Sequence, residues 1–269
     1  MVNLFKRGWD MATASLAVLK SHPSLLVFPI VSGITMAGVT VLAGWAAMKA
    51  VGLVALLAWY FVCAFVVVFC NAALVACVLQ SSAGRQPSIG SGFAAAGRRL
   101  PQILGWSLVV ATIGVVLQVL QSLLRDKLAL LGGLLGGATV GLWGVATYFV
   151  VPVIVTEGVG PVKAVKRSSG ILRRTWGESL IGSFGISLML SVFLLPLGAV
   201  VAVLVKGVGR QVALVTLGAI GVLYALLLAV VFTTLSAIFR ASMYSYATTG
   251  TAPNHMDAAL LRSVFRSQN

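Results

Sequence analysis

Apolar residues fall in six long runs separated by short polar segments: Leu25–Met48, Val51–Leu79, Ile103–Leu124, Leu128–Thr156, Ser179–Val205 and Val212–Phe239. Each exceeds the ~20 residues a helix needs to cross a hydrocarbon core of ~30 Å. A backbone in lipid must satisfy its polar groups within its own segment, so the runs predict helices. The second, fourth and sixth are the longest and must tilt or extend past the bilayer. The first run exceeds the apolar core of a secretory leader, so it reads as a span.

A short pattern recurs after every second run: Gly84-Arg85-Gln86-Pro87, Gly158-Val159-Gly160-Pro161 and Gly250-Thr251-Ala252-Pro253. Each copy predicts a turn and a new helix, because proline is favoured in a first helical turn. Basic residues recur at a fixed distance from it, at Arg99, Arg174 and Arg266. The expected architecture is all-α: one polytopic membrane domain over 1–269, six transmembrane helices in three parallel hairpin repeats (about 1–87, 88–161 and 162–253), and a C-terminal surface helix at 254–269. Repeats entering and leaving on one side would be related by an axis along the membrane normal.

The segments between hairpins predict amphipathic interfacial helices. Phe5, Trp9, Ala12, Leu16 and Leu19 share one helical stripe, and Val162, Val165, Ser169, Leu172 and Trp176 share another. Such helices lie at the lipid interface or pack on the bundle as lids.

Charge fixes the expected direction. Fourteen of the 19 Lys and Arg residues fall on the side holding both termini, including Arg85, Arg98, Arg99, Lys163, Lys166, Arg167, Arg173 and Arg174. Five fall on the other, so both termini are expected in the cytoplasm and the chain in the inner (plasma) membrane. The net charge of +14 therefore describes loops facing anionic lipid, and no basic domain exists to bind nucleic acid. Mean hydropathy of +1.06 with 9% charged residues lies far from the soluble average of roughly 25%. The outer connections are too short for an extracellular recognition domain.

Candidate contacts to lipid head groups are Lys163, Lys166, Arg167, Arg173, Arg174, Arg98 and Arg99. Gly133, Gly137 and Gly141 form a ridge that lets a helix approach closely, inside the monomer or in a second copy, which would make a homo-oligomer. Asn71, Gln118 and Gln121 would line a polar path or bond neighbouring helices. Cys63, Cys70 and Cys77 lie seven apart on one face, about 10.5 Å between neighbours, too far for two to ligate one ion, so packing is expected. Pro29, Pro152 and Pro196 fall within spans and can kink them. Glu157 and Glu178 sit at span ends beside cations, where surface pairing is expected. No charged group is expected at mid-membrane, a place where coupled pumps hold such groups. No metal, cofactor, Ser–His pair or catalytic constellation is expected, so an enzyme is not.

Three parallel hairpins also describe mitochondrial carriers, but their Pro-x-acid-x-x-base signature is missing. The stretches Ser15–Pro29, Phe69–Ala76, Arg98–Gly105 and Tyr148–Pro161 resemble a prokaryotic family of uncharacterised integral membrane proteins. That family is similar to the membrane domain attached to some glycerophosphodiester phosphodiesterases. The resemblance implies a fold and no activity, since the catalytic domain has no counterpart here. Two functional readings follow: a passive conduit or transporter for a small solute or lipid-like molecule, and a scaffold or accessory subunit that binds partners or anionic lipid through its basic helices.

Overall fold

A computed structural model of the protein describes residues 2–47, 53–125, 143–174, 186–187, 189–198 and 210–250. Among these, every element is helical. In order they are α1 (Val2–Ser21), a 3-10 turn (Pro23–Leu26), α2 (Val27–Ala47), α3 (Leu53–Ser82), α4 (Ile89–Gly97), α5 (Leu100–Arg125), α6 (Val150–Glu157), α7 (Pro161–Arg174), α8 (Met189–Gly198) and α9 (Arg210–Thr249).

Four helices are long and apolar enough to cross a membrane: Pro23–Gly44, Leu57–Ser82, Leu100–Val119 and Gly218–Thr249. A fifth is reached if Trp143–Glu157 and Pro161–Arg173, which meet at 117°, are one broken span. Four of the six expected runs are therefore found as long helices. Most of the expected fourth and fifth runs lies outside the described residues. The sixth was expected to end at Phe239, but α9 runs on to Thr249. It continues through a buried turn: Ala241, Ser242, Met243 and Tyr244 are enclosed by neighbouring helices. At 40 residues α9 is about 60 Å long, twice the hydrocarbon thickness of about 30 Å.

Burial is concentrated at one end of the long helices. There the second half of α3, the start of α5, α6 and the last third of α9 enclose Leu74, Ile103, Phe149, Ile154, Leu235, Ile238 and Phe239. Away from that end the same helices present Ile34, Val54, Leu108 and Leu223 outwards. Side chains of this type on the outside of long apolar helices face lipid.

Three short helices close the buried end. The α1 helix packs on α9, α4 on α3, and α7 on α6. Their inner faces carry small residues: Ala12 and Ser15 on α1, Gly92 and Ala96 on α4, Ala164 and Ser168 on α7. On α7 the buried stripe is Ala164, Ser168, Ile171 and Leu172, whereas the expected stripe began at Val162, which is 69% exposed. Close backbone approach selects small side chains over bulky apolar ones, and this turns the helix from the face hydropathy favours.

The three left-handed glycines among the described residues are the three at the recurring turns, Gly84 (φ 74°), Gly158 (φ 64°) and Gly250 (φ 70°). Each follows the end of α3, α6 or α9, where a residue without Cβ lets the chain leave the helix while its N–H bonds back to a last-turn carbonyl. After the first two the next helix starts as expected, with one difference, whereas the surface helix expected at 254–269 lies outside the described residues. Pro161 opens α7, but Pro87 stands outside α4, whose start is fixed by a reciprocal capping box between Ser88 and Ser91. Pro29 lies in the first turn of α2, where its missing N–H is harmless.

Candidate functional site

The polar groups of the buried end converge on the seam between α9 and the α6–α7 pair. Pro152 begins the construction. Its ring disfavours a continuous helix one turn earlier, and the chain makes a turn at residues 147–149 before α6 starts. The break leaves the Phe149 N–H without a helical acceptor, and the fully buried Ser168 hydroxyl accepts it at 3.0 Å. This bond ties α7 against the head of α6.

At the tail of α6, Arg99 donates to the carbonyls of Val155 and Thr156 (both 3.3 Å), and the Gln102 amide donates to Gly158 O at 3.1 Å. A cation is well placed there, because the last carbonyls of a helix carry partial negative charge. Arg99 was expected at head groups; instead its guanidinium is committed to this turn.

Glu157 accepts from Arg167 Nε at 2.9 Å, the pairing expected for a carboxylate at that position. Hydrogen bonding and attraction to Glu157 raise the Arg167 pKa above its ordinary value. Tyr244 reaches in from α9: its hydroxyl lies 2.7 Å from Thr156 Oγ1 and donates to Glu157 at 3.3 Å. One turn along, Lys166, Arg167, Gly170 and Ile171 of α7 face Ala247 and Thr248 of α9 across a cleft of about 270 Å³. Two cations thus stand beside an apolar floor. The volume is below the roughly 300–1,000 Å³ of pockets that enclose drug-sized ligands, and suits a charged group presented from outside.

Arg240 lies one turn before Tyr244 on the same face of α9. Its Nε donates to Ser236 O at 3.1 Å, and its guanidinium lies 5.9 Å from the centre of the Tyr148 ring. Arg240 was expected just beyond the last span; the structure places it inside the candidate span Gly218–Thr249.

The other expected residues are scattered. Arg98, Lys163, Lys166 and Arg173 are exposed, and Arg174 ends α7. Gln118 accepts from Tyr60, a bond between α3 and α5. Asn71 Oδ1 is buried with no partner among the described residues. The Gln121 side chain, Gly133, Gly137, Gly141, Trp176 and Glu178 lie outside what is described. Cys63, Cys70 and Cys77 are buried free thiols packed in the α3 core, with Cys77 Sγ donating to Ser88 O at 3.3 Å. Among the described residues no group of three His, Cys, Asp or Glu gathers to hold a metal. A Ser–His contact does form, against expectation: Ser81 Oγ lies 3.1 Å from His22 Nε2. Ser81 is 3% exposed, so the contact fastens the end of α3 to the α1–α2 junction rather than presenting a nucleophile. Sequence reasoning missed Tyr244 and Ser168; for Tyr244 a hydroxyl four places from Arg240 was the available signal, and Ser168 carried none.

Long apolar helices, closed at one end by short helices around a cationic seam, define a multi-pass membrane protein. The chain belongs to a family of unknown function, DUF6159, which it matches over residues 50–254. No curated protein and no solved structure matches it, so the similarity to a phosphodiesterase's membrane domain finds no counterpart.

Proposed function

We propose that the protein is a non-enzymatic integral membrane protein that binds the head groups of anionic lipids at the closed end of its bundle, acting as a scaffold or accessory subunit. The observation that carries this reading is the cleft with Lys166 and Arg167 over the floor of Gly170, Ile171 and Ala247. A phosphate or phosphoglycerol head group meets cations, and the glycerol backbone meets apolar surface. Exposed Lys163, Arg173 and Arg98 widen the positive field around it.

In this reading the chain makes six crossings as three parallel hairpins in the plasma membrane, with both termini cytoplasmic. Recurrence of the left-handed glycine at Gly84, Gly158 and Gly250 supports the repeat. So does packing: α1 lies on α9 as α4 lies on α3 and α7 on α6. The first short helix would thus complete the last hairpin and close the ring. The Gly133, Gly137 and Gly141 ridge offers the contact for a homo-oligomer.

The test uses the purified full chain in zwitterionic detergent, titrated with short-chain phosphatidylglycerol and with phosphatidylcholine. Phosphatidylglycerol should bind preferentially, with an affinity that falls as salt rises. The triple variant Lys163→Gln, Lys166→Gln, Arg173→Gln should weaken it severalfold. Unchanged binding would discard the reading.

A second reading, a passive conduit for a small solute or lipid-like molecule, draws on Asn71, whose Oδ1 has no partner among the described residues deep in α3. Solute flux through proteoliposomes that falls in Asn71→Leu would favour it; absence of flux across ions, lipids and small metabolites would count against it.

A further inference from the structure

The four candidate spans contain a single charged side chain, Arg240. A guanidinium in an apolar helix is costly, and such charges face the bundle interior, find partners and mark sites of function. Here the protein supplies only part of the partnership. Nε is bonded to Ser236 O and one face of the guanidinium rests on Tyr148. Among the described residues no carboxylate pairs with it, and its Nη fork has no acceptor. The acid on this seam, Glu157, is already held by Arg167 and Tyr244.

Three features define what would complete the site. The contacts of Nε and the ring fix the plane of the guanidinium, leaving two parallel N–H donors presented together, the geometry that matches a phosphate or carboxylate oxyanion. Tyr148 stands immediately before Phe149, the N-cap of α6, and that cap has no side-chain bond to the helix's first amides. The Phe149 N–H is taken by Ser168 and the Val150 N–H by Thr147 O, so Arg240 supplies the positive charge at this junction. Finally, Arg240 follows directly on the apolar run 212–239, toward the end of α9 where burial is concentrated.

We infer that Arg240, fixed by Tyr148 and Ser236, binds a phosphate oxyanion between α9 and the head of α6, supplied by a lipid phosphodiester or by inorganic phosphate. The site stands on different residues from the α7 cleft. From Arg240 to Ala247 is seven residues, about 10.5 Å along α9.

The experiment takes the full chain in phosphate-free detergent. Inorganic phosphate and short-chain phosphatidylglycerol are titrated separately, and thermal stability and native mass spectrometry are read. At least one probe should raise the melting temperature of the wild type and add one molecule per chain besides any phosphatidylglycerol held at the α7 cleft. Response to both marks a site open to free phosphate, and response to phosphatidylglycerol alone marks a lipid site. Arg240→Gln should weaken that response about tenfold or more, the loss expected when a charge-assisted bidentate bond is removed. Arg240→Lys keeps the charge without the fork and should fall between, which keeps the test decisive if the Gln variant does not fold. Lys166→Gln should leave this single molecule in place. Equal binding by wild type and Arg240→Lys, no response to either probe, or a loss confined to Lys166→Gln overturns the inference. The last outcome would leave the cleft reading standing alone.

Discussion

The guanidinium of Arg99 occupies the space where a Cβ on residue 158 would stand. Gly158 is therefore fixed twice, by a left-handed backbone (φ 64°) and by the side chain that satisfies the last carbonyls of α6. At Gly250, by contrast, the backbone is equally left-handed (φ 70°) but no described residue lies within 4 Å of a Cβ.

Alanine should separate the two demands. Gly250→Ala is expected to cost about 1 kcal/mol, the backbone term alone. Gly158→Ala should cost about 2–3 kcal/mol, because Arg99 must also leave its acceptors. In the Arg99→Ala background the added cost of Gly158→Ala should fall back towards that of Gly250→Ala. Thermal unfolding of the detergent-solubilised chain measures all four variants. Equal losses at 158 and 250 would remove Arg99 from the account.

The α4 helix makes a similar contact. A Cβ on Gly92 would lie 2.6 Å from Cys77 Sγ, 2.8 Å from Ala73 O and 2.9 Å from Phe28 Cζ. The carbonyl belongs to the α3 backbone and cannot turn aside, so Gly92→Ala should lift α4 and cost about 1–3 kcal/mol. Gly90, one turn-fraction away, has open space and should accept alanine without loss. Maleimide labelling gives a second readout. Cys77 is 0% exposed and should stay unreactive in the wild type and in Gly90→Ala, but become reactive in Gly92→Ala. Continued protection in Gly92→Ala would show that the contact yields.

Some of this was legible in the chain. The recurring Gly-x-x-Pro marked the three left-handed turns, because only glycine takes that conformation without strain. Glu157 was readable as a paired carboxylate because it ends an apolar stretch beside cations. The face of α7 was not readable, since hydropathy favours Val162 and Val165 while close packing chose Ala164 and Ser168. Arg240 was misplaced for a related reason. A charge looks like the end of a span, yet the helix continues when the turns beyond it are buried by neighbours. Ser168 depends on an amide that Pro152 frees nineteen residues earlier in the chain, a relation visible only once α6 and α7 lie together.

Ser168 offers a direct test of that relation. Removing its hydroxyl leaves the buried Phe149 N–H without an acceptor, and an orphaned buried donor costs about 1–3 kcal/mol. Ser168→Ala should therefore destabilise far more than Ser169→Ala, whose hydroxyl bonds to Lys166 O in its own helix. Hydrogen exchange should show the Phe149 amide losing protection in Ser168→Ala alone. A loss of stability below about 0.5 kcal/mol, within the range of neutral surface changes, would mean that the amide finds another acceptor.

The Tyr244 cluster joins an enclosed bond to an exposed one, and the two should respond differently. Tyr244 is 4% exposed, and its hydroxyl meets Thr156 and Glu157. Tyr244→Phe removes both contacts and should cost about 1 kcal/mol, largely independent of salt. The side chains of Arg167 and Glu157 are 56% and 30% exposed, so water screens the pair. Arg167→Gln should therefore cost no more than about 1 kcal/mol, and the loss should shrink as ionic strength rises. A double-mutant cycle between Tyr244→Phe and Thr156→Val should give a coupling of about 0.5–1 kcal/mol, whereas Tyr244→Phe with Ser245→Ala should be additive. If the Arg167 variant proved the more destabilising and its effect ignored salt, the ion pair rather than the tyrosine would be what holds α7 against α9.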